Sequence, residues 1–335
     1  MNFLSIRIFK TGIIGLLFLI VAYSLGQVMP DPVLDSILPS FNIPVNEFVC
    51  QLESTEKIKA NNEAKIIWAN NNLQNKTEFV LLYLHGFSAC RQEGFPVNED
   101  FAKRYKCNAY MARLASHGLI TDNPLIDMTP DRLYDSAKLA LVIARHLGQK
   151  VIIMGTSTGG TLALKLAADF PDLVYGLILY APNISIKQKS AVLLAKPWGL
   201  QIARLNFGGD FRVLDDDPSG EICKYWYCSY RAEGPVYLQQ FLEATMNDNL
   251  FSKVKCPLFM GYYYKDEDKQ DQIVDVATEL EMFQKIGTPD SMKCKQAFPE
   301  ANSHVIACSL TSKSVAQVAN STYVFAEKIL KIMPN

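Results

Sequence analysis

The chain has 335 residues, of which 49% are hydrophobic and 20% charged, and its formal net charge at pH 7 is −1. These values are typical of a globular protein with room for one large domain or two ordinary ones. The near-neutral charge and the lack of a long Lys or Arg run argue against a nucleic-acid partner. We therefore expect a small-molecule partner.

The N-terminus differs from the rest of the chain. Arg7 and Lys10 precede an uncharged stretch over residues 11–30, whose length lies between that of a secretory signal and that of a membrane-spanning helix. Both interpretations keep the basic end in the cytoplasm and send the following residues across the membrane. We expect residues 1–30 to be a signal peptide or signal anchor, with cleavage left open. The catalytic domain would then be exported or membrane-anchored outside the cytoplasm.

A linker rich in Pro, Asp and Ser is predicted over residues 31–45, and one domain over residues 46–332. In this domain short apolar runs alternate with longer helical periods, which predicts an α/β fold with a mostly parallel central sheet flanked by helices. Strands buried on both faces are predicted at Phe79–Leu84, Asn108–Met111, Lys150–Met154, Tyr175–Tyr180, Pro257–Tyr262 and Lys295–Phe298.

Other segments carry turn and helix patterns. The stretch Phe48–Trp68 contains two extended candidates around Asn61 and Asn62, which predicts a hairpin. A helix capped by Thr129 is predicted to begin at Pro130 and to end at Gly148. Two more helices are predicted at Thr161–Phe170 and about Ser314–Ile332.

Residues 184–255, which we call the cap, interrupt the alternation. An insertion between two strands of such a sheet lies over the carboxyl ends of the strands, where ligands bind. We therefore predict a helical cap above an active site. Its apolar residues favour an acyl chain as ligand, although they are also what an ordinary packed cap requires: Leu193, Leu194, Trp198, Phe207, Tyr225 and Trp226.

The segment Gly155–Gly160, Gly-Thr-Ser-Thr-Gly-Gly, lies between a predicted strand and a predicted helix. Gly-x-Ser-x-Gly in that context is typical of a nucleophile elbow, a sharp strained turn that exposes the serine hydroxyl. Ser157 is the predicted nucleophile. No Gly-Lys-Ser/Thr sequence occurs, so a phosphate-binding P-loop is disfavoured.

The segment His85-Gly86-Phe87, which we call the oxyanion turn, directly follows a predicted strand. We expect its Phe87 N–H and the N–H of Thr158 to form an oxyanion hole, which stabilises charge once the carbonyl becomes tetrahedral. His85 is expected to hold the turn and not to act as the base.

The chain has four histidines, and His304 follows the last predicted strand, as the base does in the hydrolase chain order of Ser, acid, His. The acid should follow an earlier strand. Asp266, Glu267, Asp268 and Asp271 all follow Pro257–Tyr262. Spacing leaves several of them open, with Asp271 favoured because an apolar pair and a helix follow it, and Asp268 second.

These motifs resemble the α/β-hydrolase superfamily, and in particular its bacterial carboxylesterases and monoglyceride-lipase-like serine hydrolases, over about residues 46–332. The resemblance implies Ser157, Asp271 and His304 as the triad, with Phe87 and Thr158 as the oxyanion amides. The elbow carries Thr156 where the family more commonly has His, which weakens an assignment to lipases and leaves the reaction type unchanged.

We expect a serine hydrolase that cleaves carboxylic esters through an acyl-enzyme, without cofactor or metal, since no Cys/His cluster has zinc spacing. The alternatives are a peptidase with the same triad and a non-catalytic binding protein that retains the fold. Disulfides Cys223–Cys228 and Cys294–Cys308 are compatible with the eight cysteines. Natural substrate and oligomeric state are left open.

Overall fold

The structure is a computed structural model that describes residues 13–17, 20–214 and 220–334. The strands are β1 (Lys65–Ile67), β2 (Thr77–Leu84), β3 (Asn108–Met111), β4 (Gly148–Thr156), β5 (Val174–Tyr180), β6 (Phe211–Val213), β7 (Ser229–Arg231), β8 (Leu258–Tyr262) and β9 (Lys293–Ala297). The α-helices are α1 (Val45–Ser54), α2 (Val97–Arg104), α3 (Pro130–Leu147), α4 (Thr158–Asp169), α5 (Gly199–Phe207), α6 (Glu233–Thr245), α7 (Asp248–Lys253), α8 (Val276–Lys285) and α9 (Val315–Lys328).

Seven of these strands form one sheet in the order β1-β3-β2-β4-β5-β8-β9. Only β1 is antiparallel to its neighbour, and every other pair in the sheet is parallel. Alternate β2 residues enter two apolar clusters, Leu82 on the side of α3 and α4, and Leu81 on the side of α2 and α9. Helices therefore cover both faces, which confirms the predicted mostly parallel sheet and places the loops after β2, β4, β5 and β8 at one edge.

The predicted hairpin over Phe48–Trp68 is wrong. Residues Val45–Ser54 form helix α1, and β1 pairs antiparallel with β3, with Lys65 opposite Met111. The three- and four-residue spacing of Val45, Phe48, Val49 and Leu52 is a helical pattern that the extended interpretation missed.

The helix predicted after Thr129 is present as α3. The Thr129 hydroxyl accepts a hydrogen bond from the Arg132 N–H (3.4 Å), Pro130 occupies the first turn, and Gly148 is the C-cap. Helix α4 begins at Thr158, three residues before the predicted start, since it follows the candidate nucleophile without a linker. Helix α9 ends at Lys328, and the buried Leu330 and Ile332 continue its packing outside the helix.

The cap contains more than helices. Besides α5, α6 and α7 it holds an antiparallel ribbon of β6 and β7, with Phe211 opposite Arg231. A disulfide joins Cys223 to Cys228, whereas Cys294 and Cys308 are free thiols. The first of the two cysteine pairs considered from spacing is therefore bonded, and the second is not.

The cap is attached to the sheet's loops through the segment enclosed by this disulfide. The Tyr227 N–H donates to the Ser88 carbonyl (2.8 Å), and the Tyr227 hydroxyl donates to the Leu119 carbonyl (3.0 Å). The Lys59 ammonium donates to the carbonyls of Cys223 (2.6 Å) and Trp226 (3.1 Å). This corner of the cap thus lies directly beside the residue that follows the oxyanion turn.

Arg7 and Lys10, with residues 11, 12, 18 and 19 of the uncharged stretch, lie outside the described residues. No helix within residues 13–17, 20–214 and 220–334 combines the length and the apolar character needed to span a membrane. The end of the stretch contacts the cap, where the Trp198 indole N–H donates to the Ala22 carbonyl (2.9 Å). In the segment predicted as a linker, Asp35 pairs with the buried Lys138 of α3 (2.6 Å).

Candidate active site

Ser157 occupies the single-residue junction between β4 and α4. Its backbone has a φ of 53° and a ψ of −118°, a conformation that L-residues rarely adopt, and its N–H donates to the Tyr180 carbonyl at the end of β5 (2.9 Å). Strain of this kind persists only where the surroundings enforce it, and it is typical of a nucleophile elbow. The parallel sheet therefore holds this serine at the carboxyl edge of its central strands.

Two glycines make this turn sterically feasible. A Cβ on Gly159 would lie 1.9 Å from the carbonyl oxygen of Leu84, and a Cβ on Gly155 would lie 2.5 Å from the carbonyl oxygen of Gly159. Backbone atoms cannot move aside as a flexible side chain can. The Gly-x-Ser-x-Gly spacing is thus required by contact between the elbow and the end of β2.

The oxyanion turn lies against the elbow, since a Cβ on Gly86 would lie 3.0 Å from the Ser157 Cβ. Within the described parts of the chain, no acceptor is hydrogen-bonded to the backbone N–H of Phe87 or of Thr158. Two adjacent backbone donors without a protein acceptor are what an oxyanion hole requires.

His85 fixes the turn and is not free to act as a base. Its Nε2 accepts from the Leu114 N–H (3.1 Å), so the proton resides on Nδ1, which donates to the Gly86 carbonyl (2.9 Å). Burial holds the pKa of His85 well below its usual value, which keeps the ring neutral.

His304, which is partly buried, forms a hydrogen-bonded pair with the fully buried Asp271. The distance from His304 Nδ1 to Asp271 Oδ2 is 2.6 Å, and Asp271 Oδ1 accepts from the N–H groups of Ile273 (2.8 Å) and Val274 (3.1 Å). Burial opposes the charged imidazole, but the charge and hydrogen bond of Asp271 and the charge of Glu93 outweigh it, so the pKa of His304 is raised. Within the described residues, the buried His304 Nε2 has no hydrogen-bond partner. That nitrogen is therefore available to a proton, although no hydrogen bond joins it to Ser157.

The other acid and base candidates lie elsewhere. Asp268 is exposed, and its N–H donates to the Asp266 carboxylate (3.1 Å) within a surface turn. His117 Nε2 accepts from the Ser88 N–H (3.1 Å), and burial lowers the pKa of His117 to about 4. His146 packs on the ring of Phe41, with centroids 4.4 Å apart. Of the predicted residues, the structure brings Asp271 and His304 together and leaves Asp268 apart.

Glu93 is a buried carboxyl at the site that sequence reasoning missed. It is 2% exposed, and its Oε2 accepts from the Gly86 N–H of the oxyanion turn (2.5 Å). Burial raises its pKa to about 7, against the lowering effects of the Gly86 hydrogen bond and the His304 charge. A single Glu in a charged loop carries no pattern that distinguishes it from a solvated residue.

A second buried carboxyl lies below the Asp271–His304 pair. Glu279, on α8, is fully buried, and neither carboxyl oxygen has a hydrogen-bond partner within the described residues. Burial and the charges of Asp271 and Asp275 hold its pKa well above the usual value. Burial therefore favours the protonated form of Glu279 over its carboxylate, compared with a glutamate in water.

We expect Glu279→Met to raise the free energy of unfolding by about 1–2 kcal/mol, because it removes a buried polar group that has no partner. A carboxyl whose folded pKa is raised binds more protons in the folded state, so its contribution to stability is lost as pH rises above its unfolded value of about 4.3. The gain should thus be larger at pH 8 than at pH 5 in urea titrations. The exposed Glu281→Met serves as control, and a gain that does not change with pH would contradict the assignment.

A groove of about 380 Å³ opens in the cap, and none of Phe87, Ser157, Asp271 and His304 is among the residues that line it. Most of its lining is aliphatic or aromatic, including Ile186, Leu193, Leu194, Ile202, Phe207 and Val213. Among the described residues, no group of three or more His, Cys, Asp or Glu side chains is arranged to hold a metal ion.

Residues 127–217 match the family model described as serine aminopeptidase, S33. No curated protein matches the chain. The matched range contains the elbow, and it ends before Asp271 and His304.

Solved structures of lipolytic enzymes and esterases share the fold at low sequence identity. A metagenome-derived enzyme from a study of LipS and LipT has 16% identity and a TM-score of 0.65, covering 81% of this chain and 100% of its own. The Paleococcus ferrophilus monoacylglycerol lipase has 14% identity and a TM-score of 0.54, covering 77% and 95%. Est1E from Butyrivibrio proteoclasticus, with bound ferulic acid, has 16% identity and a TM-score of 0.53, covering 80% and 95%. The chain therefore has the α/β-hydrolase fold, as its motifs predicted.

Proposed function

We propose that the protein is a serine hydrolase of carboxylic esters, with Ser157 as nucleophile, His304 as general base and Asp271 as the acid that orients it. The observation that carries the proposal is the hydrogen-bonded Asp271–His304 pair at the same sheet edge as a serine in a strained elbow. The His304 Nε2 atom has no hydrogen-bond partner among the described residues. This arrangement supplies the groups that nucleophilic acyl transfer needs.

In the proposed reaction, His304 Nε2 takes the proton of the Ser157 hydroxyl as its oxygen attacks the ester carbonyl. The resulting oxyanion accepts from the N–H groups of Phe87 and Thr158. The imidazolium then donates its proton to the leaving alcohol, which leaves an acyl-enzyme. Water activated by the same nitrogen hydrolyses this intermediate. Asp271 keeps the Nδ1–H tautomer throughout.

The substrate class is inferred from the cap. Most of the side chains that line the cap groove are apolar, with Gln188, Ser190, Asn206 and Arg212 among them, and we propose that this groove receives the acyl part of the substrate beside the triad. Each acidic side chain in the described part of the cap is in an ion pair: Asp210, Glu221, Glu233, Glu243 and Asp248. An exopeptidase site would need a free carboxylate for the substrate's ammonium group, and none of the acidic side chains in the described part of the cap is unpaired. Asp215, Asp216 and Asp217 lie outside that part.

A serine aminopeptidase is the second candidate, because the matching family model carries that description. The same triad would serve either reaction, since both proceed through a tetrahedral intermediate and an acyl-enzyme.

The test is a substrate panel on the purified protein. We expect labelling by a fluorophosphonate probe and turnover of p-nitrophenyl esters well above that of matched aminoacyl-anilides. Anilide turnover above ester turnover would establish the peptidase instead. Failure of both labelling and turnover would leave the fold with a binding role and overturn the enzyme assignment.

We also propose that the domain acts outside the cytoplasm, with the N-terminal uncharged stretch as signal peptide or signal anchor. The Cys223–Cys228 disulfide supports this location, since such bonds persist in oxidising compartments. Fractionation of cells that express the full chain, with protease added to intact cells, would test it. A protease-resistant protein in the cytoplasmic fraction would contradict the location.

A further inference from the structure

We propose that Glu93 is a positioning residue of the active site, which fixes the oxyanion turn by its hydrogen bond to Gly86 and places a second negative charge beside His304. The inference rests on the proposed function and deepens it. Neither the chain order of the triad nor the Gly-x-Ser-x-Gly spacing assigns a role to this side chain.

The first part of the role is geometric. Glu93 Oε2 accepts the Gly86 N–H, and its Oε1 lies 2.8 Å from where a Gly86 Cβ would be. The Gly86 N–H belongs to the His85–Gly86 peptide, and the next peptide carries the proposed Phe87 donor with its Gly86 carbonyl held by His85 Nδ1 (2.9 Å). Glu93 and His85 thus hold the two peptides on either side of the Gly86 Cα, and together they restrict the direction of the Phe87 N–H. Glu93 itself lies on a short 3-10 helix, Arg91–Gly94, which Asn98 anchors by donating to the Arg91 carbonyl (3.0 Å).

The second part of the role is electrostatic. His304 Nδ1 is occupied by Asp271. The segment that carries Glu93 packs against the segment that follows His304, where the Cys308 thiol donates to the Gln92 carbonyl (3.4 Å) and Pro96 pairs with Cys308. From this position the charge of Glu93 also raises the pKa of His304. When His304 takes a proton from Ser157, Asp271 favours the imidazolium that forms, and Glu93 does so to the extent that it is ionised, which with a pKa of about 7 increases as the pH rises through neutrality. A charge buried beside the imidazole is more effective than one in water, because solvent screens it less.

The other groups that face Glu93 are neutral near pH 7. Burial raises the pKa of Tyr83 well above its usual value and raises that of Cys90 to about 12. Burial also raises the pKa of Cys308, which is influenced by Glu93, and Trp226 does not titrate. The titrations of Glu93 and His304 are therefore coupled to each other, and each favours the charged form of its partner.

Glu93→Gln separates the two parts of the role, because its amide oxygen still accepts the Gly86 N–H while the charge is lost. Without that charge the pKa of His304 falls, so the acid limb of the kcat/KM–pH profile should move to lower pH by at least about half a unit. At the plateau kcat should fall about tenfold, as expected for weaker stabilisation of the imidazolium.

Glu93→Asp is the complementary variant, since it keeps the charge but shortens the reach to Gly86. The acid limb of its kcat/KM–pH profile should stay within about 0.2 pH units of the wild-type limb. Its kcat should fall by up to ~10²–10³-fold, the loss typical of a displaced oxyanion donor. Asp100→Asn, an exposed carboxylate on α2, is the matched control and should change neither quantity.

The electrostatic role would be overturned if Glu93→Gln is active and labelled by the probe, and the acid limb of its kcat/KM–pH profile coincides with that of the wild type. If Glu93→Gln does not fold, an unchanged kcat in Glu93→Asp overturns the geometric role by itself. Wild-type protein that neither labels nor turns over any ester or anilide would refute the proposed function instead, so the two failures are distinguishable.

Discussion

Ser157→Ala should lower kcat for ester hydrolysis by on the order of 10⁶-fold, the loss expected when the nucleophile of a serine hydrolase is removed. The residual rate would come from substrate binding and the oxyanion amides, which the substitution leaves in place. The melting temperature should stay within a few degrees, since alanine removes a single hydroxyl from an elbow that backbone contacts define. Stopped assays with a p-nitrophenyl ester, together with fluorophosphonate labelling, measure both effects.

Ser309→Ala, at an exposed serine, is the control and should retain wild-type turnover and labelling. Labelling that persists in folded Ser157→Ala would transfer the nucleophile to another residue. The same result would mean that the strained backbone at the junction of β4 and α4 does not serve to expose a nucleophile.

Asp271→Asn should lower kcat by about 10⁴-fold. The Asp271 Oδ1 atom accepts from two backbone N–H groups, so the asparagine oxygen will take that position and turn its NH₂ group toward His304. Because the asparagine NH₂ group is a donor, His304 Nδ1 must accept a hydrogen bond from it. The single proton of the neutral imidazole then resides on Nε2. The nitrogen that should receive the Ser157 proton is thereby blocked.

Asp268→Asn tests the other acid that sequence spacing allowed. Because Asp268 is exposed and bonded within its own turn, this variant should keep kcat within about twofold of wild type. A large loss in Asp268→Asn with little change in Asp271→Asn would reverse the assignment and require a different arrangement of the loop after β8.

Strand positions were predictable where burial on both faces makes the sequence uniformly apolar. The strand at Asn108–Met111 was predicted to the residue, and the runs that became β4 and β5 were each extended by only a few positions. The elbow was recognisable because close backbone contacts admit only glycine at positions 155 and 159. This steric requirement appears in the sequence as a fixed spacing of two glycines around the serine.

Features that depend on distant neighbours were not predictable. Four acids follow β8, and what distinguishes Asp271 is its burial against His304, which spacing does not encode. The segment before β1 was predicted as extended because Asn61 and Asn62 are typical turn residues, although the apolar residues of the segment have helical spacing. Glu93 and Glu279 are ordinary charged residues in sequence, and only tertiary packing removes them from water.

The disulfide-enclosed loop fixes one corner of the cap. Cys223–Cys228 closes a short covalent ring that contains Tyr227, which is bonded to Ser88 and Leu119, while Lys59 bonds to the carbonyls of Cys223 and Trp226. A second attachment lies on the side of the cap groove, where the Lys187 N–H donates to the Ile273 carbonyl (2.9 Å) and Lys189 pairs with Asp275. Cutting the disulfide should therefore loosen one attachment of the cap and leave the other in place.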